Sequence, residues 1–307
     1  MKTITLIITI LSIGSAAISQ SIERDVVASA GDYFEAAGIS VSSTIGEIAS
    51  ETYSTPNLII TQGFQQPDVI DVSLVVDLSL FLEGPYSGPL MSTNLNMAGN
   101  IPLSQPYNTA PWFYTGTEAV AAMPNSSVVD WILIELRDAP DAVSATSATM
   151  IARKALFILS DGTVTDLDGA SVPQFSATVS NNLFTVVWHR NHIGIMSANA
   201  LVQSGGVYTY DFSAGMGQVY GAQLAHKEIA TGVWGMIGGD ADADEQINNI
   251  DKNDYWAVQA GLAGYLAGDF NMDNQVNNSD KIDVWNQNTG LGGQVPDTDD
   301  ESQGVPD

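Results

Sequence analysis

A seventeen-residue stretch near the C-terminal end of this chain is written twice, 29 positions apart, and nine of the seventeen positions are identical. In the first copy, Asp240, Asp242, Asp244, Gln246, Asn248 and Asp251 fall at positions 1, 3, 5, 7, 9 and 12. In the second, Asp269, Asn271, Asp273, Gln275, Asn277 and Asp280 fall at the same places. Side-chain oxygens at 1, 3, 5, 9 and 12, with the backbone carbonyl of residue 7, are the ligand spacing that wraps a hard cation such as Ca²⁺. Carboxylates crowded this closely repel one another and resist ionisation unless a cation is present. A duplicated, spacing-specific pattern is far stronger than a single match, so the repeat is expected to hold two Ca²⁺ ions. Ile247 and Val276, at position 8, are the apolar pair expected between facing loops, with Trp256 and Trp285 capping a small core. Position 6 ordinarily calls for Gly and a positive φ, but here it is Glu245 and Asn274.

Charge narrows the partners. Nine Lys and Arg stand against thirty-five Asp and Glu, a net charge of −26. From Gly238 onward there are fifteen acidic residues and two lysines, net −13, so half the excess lies in the last seventy residues. Such a surface repels phosphate backbones, which excludes nucleic acid as an expected partner. With no cysteine, neither a disulfide framework nor a lipid-anchor thiol is available. The start of the chain reads as an export signal. Lys2 precedes the apolar run 4–13, and small residues precede a cut before Gln20, as in a secretory leader. That run is too short to span a bilayer, and no later stretch is long and apolar enough to do so. A secreted or cell-surface protein is expected.

Five segments are expected: a signal peptide (1–19), a small β module with linker (20–68), a β-sandwich (69–230), the calcium repeat (231–292), and an acidic disordered tail (293–307). The fold class is mainly β, an antiparallel sandwich followed by a small helical module. Short runs rich in Val, Ile, Ser and Thr, punctuated by Gly and Pro, give strands over 25–30, 39–45, 47–53 and 58–63. The sandwich strands are expected over 74–82, 129–137, 151–160, 184–190, 193–197 and 207–212. In the second of these, Ile132, Ile134 and Leu136 share one face while Glu135 and Arg137 share the other, suggesting a partly solvated second face. Residues 95–125 carry six Gly and Pro with Tyr107, Trp112, Phe113 and Tyr114, and read as a long ordered loop laid over the sandwich. Tyr255, Val258 and Leu262 give the first repeat an apolar helical stripe, and Ile282 and Trp285 a shorter one in the second.

The paired loops, Asp at position 12, Lys252 and Lys281 at position 13, and the short spacer together resemble a dockerin-type repeat over about residues 235–290. That resemblance implies an attachment module. Type I dockerins dock onto cohesins through residues around positions 10 and 11, commonly a Ser-Thr pair. Here these positions are Asn249-Ile250 and Asn278-Ser279, which argues against a cohesin-like partner. The segments 30–34, 44–47 and 61–67 resemble the start of secreted Bacteroidota proteins, and 81–86, 102–107, 130–138 and 187–192 are similar to hemagglutinin- or adhesin-like members of that group. This implies an extracellular role in adhesion or assembly.

Exposed aromatic faces stack on sugar rings, so Tyr107, Trp112 and Tyr114 are candidates for binding a glycan or a surface protein. The bland alternative is that they plug the end of the sandwich. His189 and His192 would face opposite ways on a strand and meet only if a turn intervenes at Asn191, so a structural role is favoured. Glu83, Glu118, Asp130 and Glu135 could supply a glycosidase pair, but sequence brings no two together. There is no nucleophile elbow and no phosphate-binding Gly-rich loop. No catalytic residue is assigned. The expected function is calcium-dependent extracellular adhesion or assembly; the alternatives are a component of polysaccharide breakdown and a structural matrix subunit.

Overall fold

The computed structural model describes residues 30–36, 39–45, 51–55, 58–62 and 73–296. The proposed signal peptide, and the tail from 297 onward, lie outside the described residues. The chain divides into two compact units, Met1–Ile70 and Asp71–Asp307. In the first, β1 (Ala30–Ala36) pairs antiparallel with β2 (Ile39–Ile45), and β3 (Glu51–Thr55) with β4 (Leu58–Gln62). The first strand extends over Gly31 to Ala36, with Thr44 opposite Gly31, beyond the expected 25–30, of which 25–29 lie outside the described residues.

The second unit is mainly β, and a sandwich-like arrangement of two sheets fits it. Its strands are β5 (Ser73–Ser79), β6 (Val128–Ala139), β7 (Met150–Leu159), β8 (Val164–Thr165), β9 (Gln174–Ser176), β10 (Asn182–Trp188), β11 (Ile195–Met196), β12 (Val202–Ser204), β13 (Val207–Asp211), β14 (His226–Ala230) and β15 (Val233–Met236). One sheet has the order β11-β10-β6-β7-β8 and the other β12-β13-β5-β9. The first sheet is antiparallel throughout. The second departs from that expectation, because β5 and β13 run parallel, Asp77 opposite Thr209. Nearly 130 residues of chain separate these two strands, ample for a crossover that no local signal announces.

Turn chemistry sets the hairpin joining β7 to β8. Gly162 takes φ +87° and its N–H donates to the Leu159 carbonyl, which only a residue tolerant of left-handed backbone does without strain. Central strand β6 is buried on both faces; only Asp138 among its twelve residues is partly open. Its apolar face joins Leu74, Val76 and Leu78 of β5 in the main core. Trp131 sits against Phe157 across the β6–β7 pair, centroids 4.2 Å apart, and donates Nε1–H to the Pro102 carbonyl.

The second face of β6 does not meet water, contrary to the sequence expectation. Glu135 accepts from Arg137 Nε at 2.7 Å and pairs with Arg153 at 3.2 Å. Arg137, 1 % exposed, donates to the carbonyls of Ala145 and Pro296. Val295 packs on the apolar cluster of Phe184, Val186 and Met196. Residues 294–296, assigned from composition to a disordered tail, are therefore an ordered strap across this sheet. Alternation alone cannot distinguish a polar face turned to water from one covered by another segment of chain. Among the described residues, no helix is long and apolar enough to cross a membrane.

Candidate metal centre

The two repeated loops have the same backbone. Positions 4 and 6 are left-handed in both, with φ +57° and +66° at Ala243 and Glu245, and +57° and +78° at Met272 and Asn274. A non-glycine residue rarely adopts this region, so four such residues at matched positions report a conformation imposed by the loop. The hydrogen bonds match as well. Position 6 donates its N–H to the first carboxylate, Glu245 to Asp240 at 3.1 Å and Asn274 to Asp269 at 3.0 Å. Position 7 donates to the fifth, Gln246 to Asp244 at 2.8 Å and Gln275 to Asp273 at 2.9 Å. The carboxylate at position 12 folds back to accept the N–H of position 9: Asn248 to Asp251 and Asn277 to Asp280, both at 2.7 Å.

The symmetry extends between the copies. Gln246 bridges Gly292 and Gln275 bridges Ala263, partners again 29 residues apart. Trp285 donates Nε1–H to the Asn248 carbonyl, and Trp256 to the Asn277 carbonyl. Lys252 lies over the Trp285 ring at 4.9 Å and Lys281 over the Trp256 ring at 4.2 Å. Ile247 and Val276 are both buried, as position 8 requires. The helical stripes are rearranged. Residues Asp251–Trp256 and Asp280–Trp285 form wide π-type turns, continued by Ala257–Gln259 and Asn286–Asn288. Bonding from i to i+5 rotates successive side chains differently from an α-helix. Val284 and Trp285 turn inward, whereas Val258, Leu262 and Ile282 are left exposed.

Oxygens of Asp240, Asp242 and Asp244 lie within 4.8 Å of one another. Asp240 is 1 % exposed, and its Oδ1 is buried with no hydrogen-bond partner. Burial, reinforced by Asp251, Asp244 and Asp242, pushes the Asp240 carboxyl well above its usual range. Burial also raises Asp251 to about 6 and Asp280 to about 6. Asp269 rises to about 7, again through burial first, with Arg190 pulling the other way. A buried, partnerless carboxylate oxygen among like charges is an electrostatic deficit that a divalent cation removes. The donor set, all oxygen and mostly carboxylate, suits Ca²⁺ and not a softer metal.

Beneath the second loop lies a polar cluster, of which the sequence suggested the histidine pair and its turn but not their partners. Strand β10 ends at Trp188, and a turn brings His189 and His192 together, ring centroids 4.8 Å apart. Gly84 N–H donates to His192 Nε2 at 3.1 Å, so His192 carries its proton on Nδ1, facing His189 Nδ1 at 3.1 Å and Asn191 Oδ1 at 2.9 Å. His189 Nε2 then faces Asp130 at 3.3 Å. Burial lowers both histidines, His192 well below its usual value, and the neutral chain of bonds satisfies every ring nitrogen without a metal. Asp130 also accepts from Arg190 at 2.9 Å and from the Tyr265 hydroxyl at 2.6 Å. Burial pushes Asp130 up, but Arg190, His189 and Tyr265 together hold it below the usual carboxylate range.

The other candidates are placed as follows. Tyr107 is fully buried, its hydroxyl donating to the Trp131 carbonyl, so neither ring face is open. Trp112 packs edge-on against it at 4.9 Å. Tyr114 is half-buried and donates to Glu118 at 2.5 Å. The exposed ring of this loop is Phe113, at 69 %. Of the carboxylates considered for glycosidase chemistry, Glu83 pairs with Lys227 and Asn288, Glu118 with Tyr114, Asp130 with Arg190, and Glu135 with Arg137 and Arg153. On the outer side of the second sheet an open groove of about 360 Å³ is lined by residues including Asp77, Ser79, Asn199, Thr209, Asp211 and Gln218.

No family model and no curated protein matches this chain. Among solved structures, a chain from an N-terminal interface mutant of a type II Cohesin-X-Dockerin complex of Acetivibrio cellulolyticus is similar at a TM-score of 0.33 and 11% identity. The match covers 72% of this chain and 95% of that one. A score that low leaves the loops of this chain to be read on their own geometry.

Proposed function

We propose that this is a secreted calcium-binding protein of extracellular adhesion or assembly, whose repeat holds two Ca²⁺ ions. The observation that carries the reading is Asp240 Oδ1, a buried carboxylate oxygen with no partner, in a loop whose backbone the second copy reproduces. Asp240, Asp242, Asp244, Asn248, Asp251 and the Gln246 carbonyl would hold one ion. Asp269, Asn271, Asp273, Asn277, Asp280 and the Gln275 carbonyl would hold the other. Each ion would neutralise its carboxylates and fix the loop, stabilising the folded form by mass action. The 29-residue symmetry of the Trp, Lys and Gln contacts supports the dockerin-type reading of the repeat.

Isothermal titration of the full chain tests this. Two Ca²⁺ per chain are expected, falling to one in Asp240→Asn and one in Asp269→Asn. No heat of binding in the parent protein would end the calcium reading.

The groove over β5 and β13 is the surface we assign to a ligand. Asp77 and Asp211 repel anions, and with Ser79, Asn199 and Gln218 they suit the hydroxyls of an uncharged sugar. A glycan array run with and without calcium should give binding that Asp77→Ala weakens. An array blank under both conditions would leave protein assembly as the function.

A further inference from the structure

The two loops are alike in themselves and unlike in what they touch, and the difference lies at the start of loop two. Asn191, fully buried, donates Nδ2–H to the Asp269 carbonyl at 2.8 Å and to the Ala267 carbonyl at 3.3 Å. Arg190 donates to the Leu266 carbonyl at 2.6 Å and stacks on Tyr265 at 4.1 Å. The next residue, Phe270, is fully buried, and its carbonyl oxygen lies so near Gly84 that a Cβ placed there would sit 1.9 Å away. These groups all trace back to Asp130 on the central strand β6, or to the Gly84–His192 hydrogen bond. The same turn also meets the entry to loop one, where Gly239 N–H donates to the Asn191 carbonyl at 3.0 Å.

We propose that the 189–192 turn is an intramolecular receptor for the second loop. Through it, Asn191 positions the first ligand of that loop, and a Ca²⁺ ion held there is coupled to the folding of the sandwich. This rests on the calcium reading above. Its logic is linkage: if Asp269 is placed by Asn191, whatever orders Asp269 also orders the turn, and the effect runs equally in reverse. Partners that orient a metal ligand typically change metal affinity by about 10–100-fold when removed. Asn191 and Gly84 are therefore positioning residues, and the C-terminal repeat is not a detachable module but part of the cooperative block formed by Asp71–Asp307.

The experiment uses the full chain, with calcium titration and site-resolved hydrogen exchange. In the parent protein, calcium should slow exchange at the amides of β6 and β10 as well as in the loops. Asn191→Ala removes the bonds to Asp269 and Ala267. Gly84→Ala removes no hydrogen-bonding group of the turn but wedges a methyl against the Phe270 carbonyl and beside His192 Nε2. Both variants should weaken one of the two calcium sites about ten-fold or more, leave the other within about three-fold, and abolish the calcium effect on β6 and β10. Unchanged affinity at both sites in both variants overturns the proposal. So does exchange in the parent β6 and β10 that is indifferent to calcium, a measurement that needs no variant to fold. A parent chain that binds no calcium refutes the earlier reading instead, and is told apart by the titration alone.

Discussion

Loop one and loop two have the same spacing, the same left-handed residues and mirrored contacts, yet they stand in different surroundings. Loop one carries four carboxylates among its candidate ligands, and one oxygen of Asp240 is left without a partner. Loop two carries three, and both oxygens of Asp269 accept backbone N–H groups, from Asp273 at 3.1 Å and Asn274 at 3.0 Å. Arg190 adds a positive charge near Asp269 for which loop one has no counterpart at Asp240. Position 2 is Ala241 in loop one and the fully buried Phe270 in loop two. The difference teaches that the same residue pattern can set the same loop backbone while the packing around it differs.

The largest expected effect falls where loop two meets the sheet. Asp130→Asn would leave the buried Arg190 guanidinium without its carboxylate and Tyr265 with a poorer acceptor. Breaking a buried pair from one side costs about 3–5 kcal/mol. Urea unfolding should show a loss of that order, and calcium affinity should fall at loop two only. A loss under about 1 kcal/mol would mean that the cluster is dispensable.

Acid offers a contrast on the loop-one side. His226, on the hairpin that leads into loop one, is 2 % exposed, packs near Trp234, and has no partner at either ring nitrogen. Burial lowers it to about 4. The fold thus favours the neutral ring. The corresponding stability is fully present above the unfolded value near 6.5 and is lost as pH falls from there to about 4. At about 1.4 kcal/mol per unit, the loss approaches ~3 kcal/mol. Denaturation at pH 7 and pH 4.5 in saturating calcium should show His226→Phe with a shallower fall than the parent. Equal slopes would place the acid sensitivity elsewhere.

The carboxylates themselves should separate the loops by size of effect. In excess calcium, at about 100 times Kd, either Asp240→Asn or Asp269→Asn forfeits up to about 2.7 kcal/mol of ion-linked stability. In chelator the two should part. Asp240→Asn relieves a buried charge repelled by its neighbours and should raise stability by about 1 kcal/mol. Asp269→Asn also removes a carboxylate that burial raises to about 7, but it gives up an acceptor for two N–H groups and the pull of Arg190, so its gain should be smaller. Melting curves of both variants with and without EDTA decide this. If both variants behave alike in EDTA, the asymmetry of surroundings has no energetic weight.

The loops were legible in the sequence because their information is local. Each copy carries its carboxylates and amides within twelve consecutive residues, and the matching spacing of the two copies gives them matching backbone. The receptor was not legible, because Asn191 and Asp269 are 78 positions apart and nothing near either one names the other. The parallel pairing of β5 with β13 escaped for the same reason. Glu135 and Arg137 were misread in environment but not in geometry: they do share a face, and a strap from residues 294–296 helps to cover it. The Val258 and Leu262 stripe failed because a π-type turn precedes Val258 and the helix ends at Gln259, before Leu262.

The smallest effect is also the one that should ignore the surroundings. Lys252 and Lys281 each sit over the tryptophan of the opposite copy, contacts that lie wholly inside the repeat. A cation over an aromatic face at a partly exposed site is worth about 0.5–1 kcal/mol. Lys252→Gln and Lys281→Gln should therefore cost nearly the same in calorimetry, with Lys281 slightly ahead because it lies closer to its ring. Two similar small losses here, beside unequal gains for the aspartates in EDTA, would locate the asymmetry in the contact with the sandwich. A much larger loss for either lysine would instead put it inside the repeat.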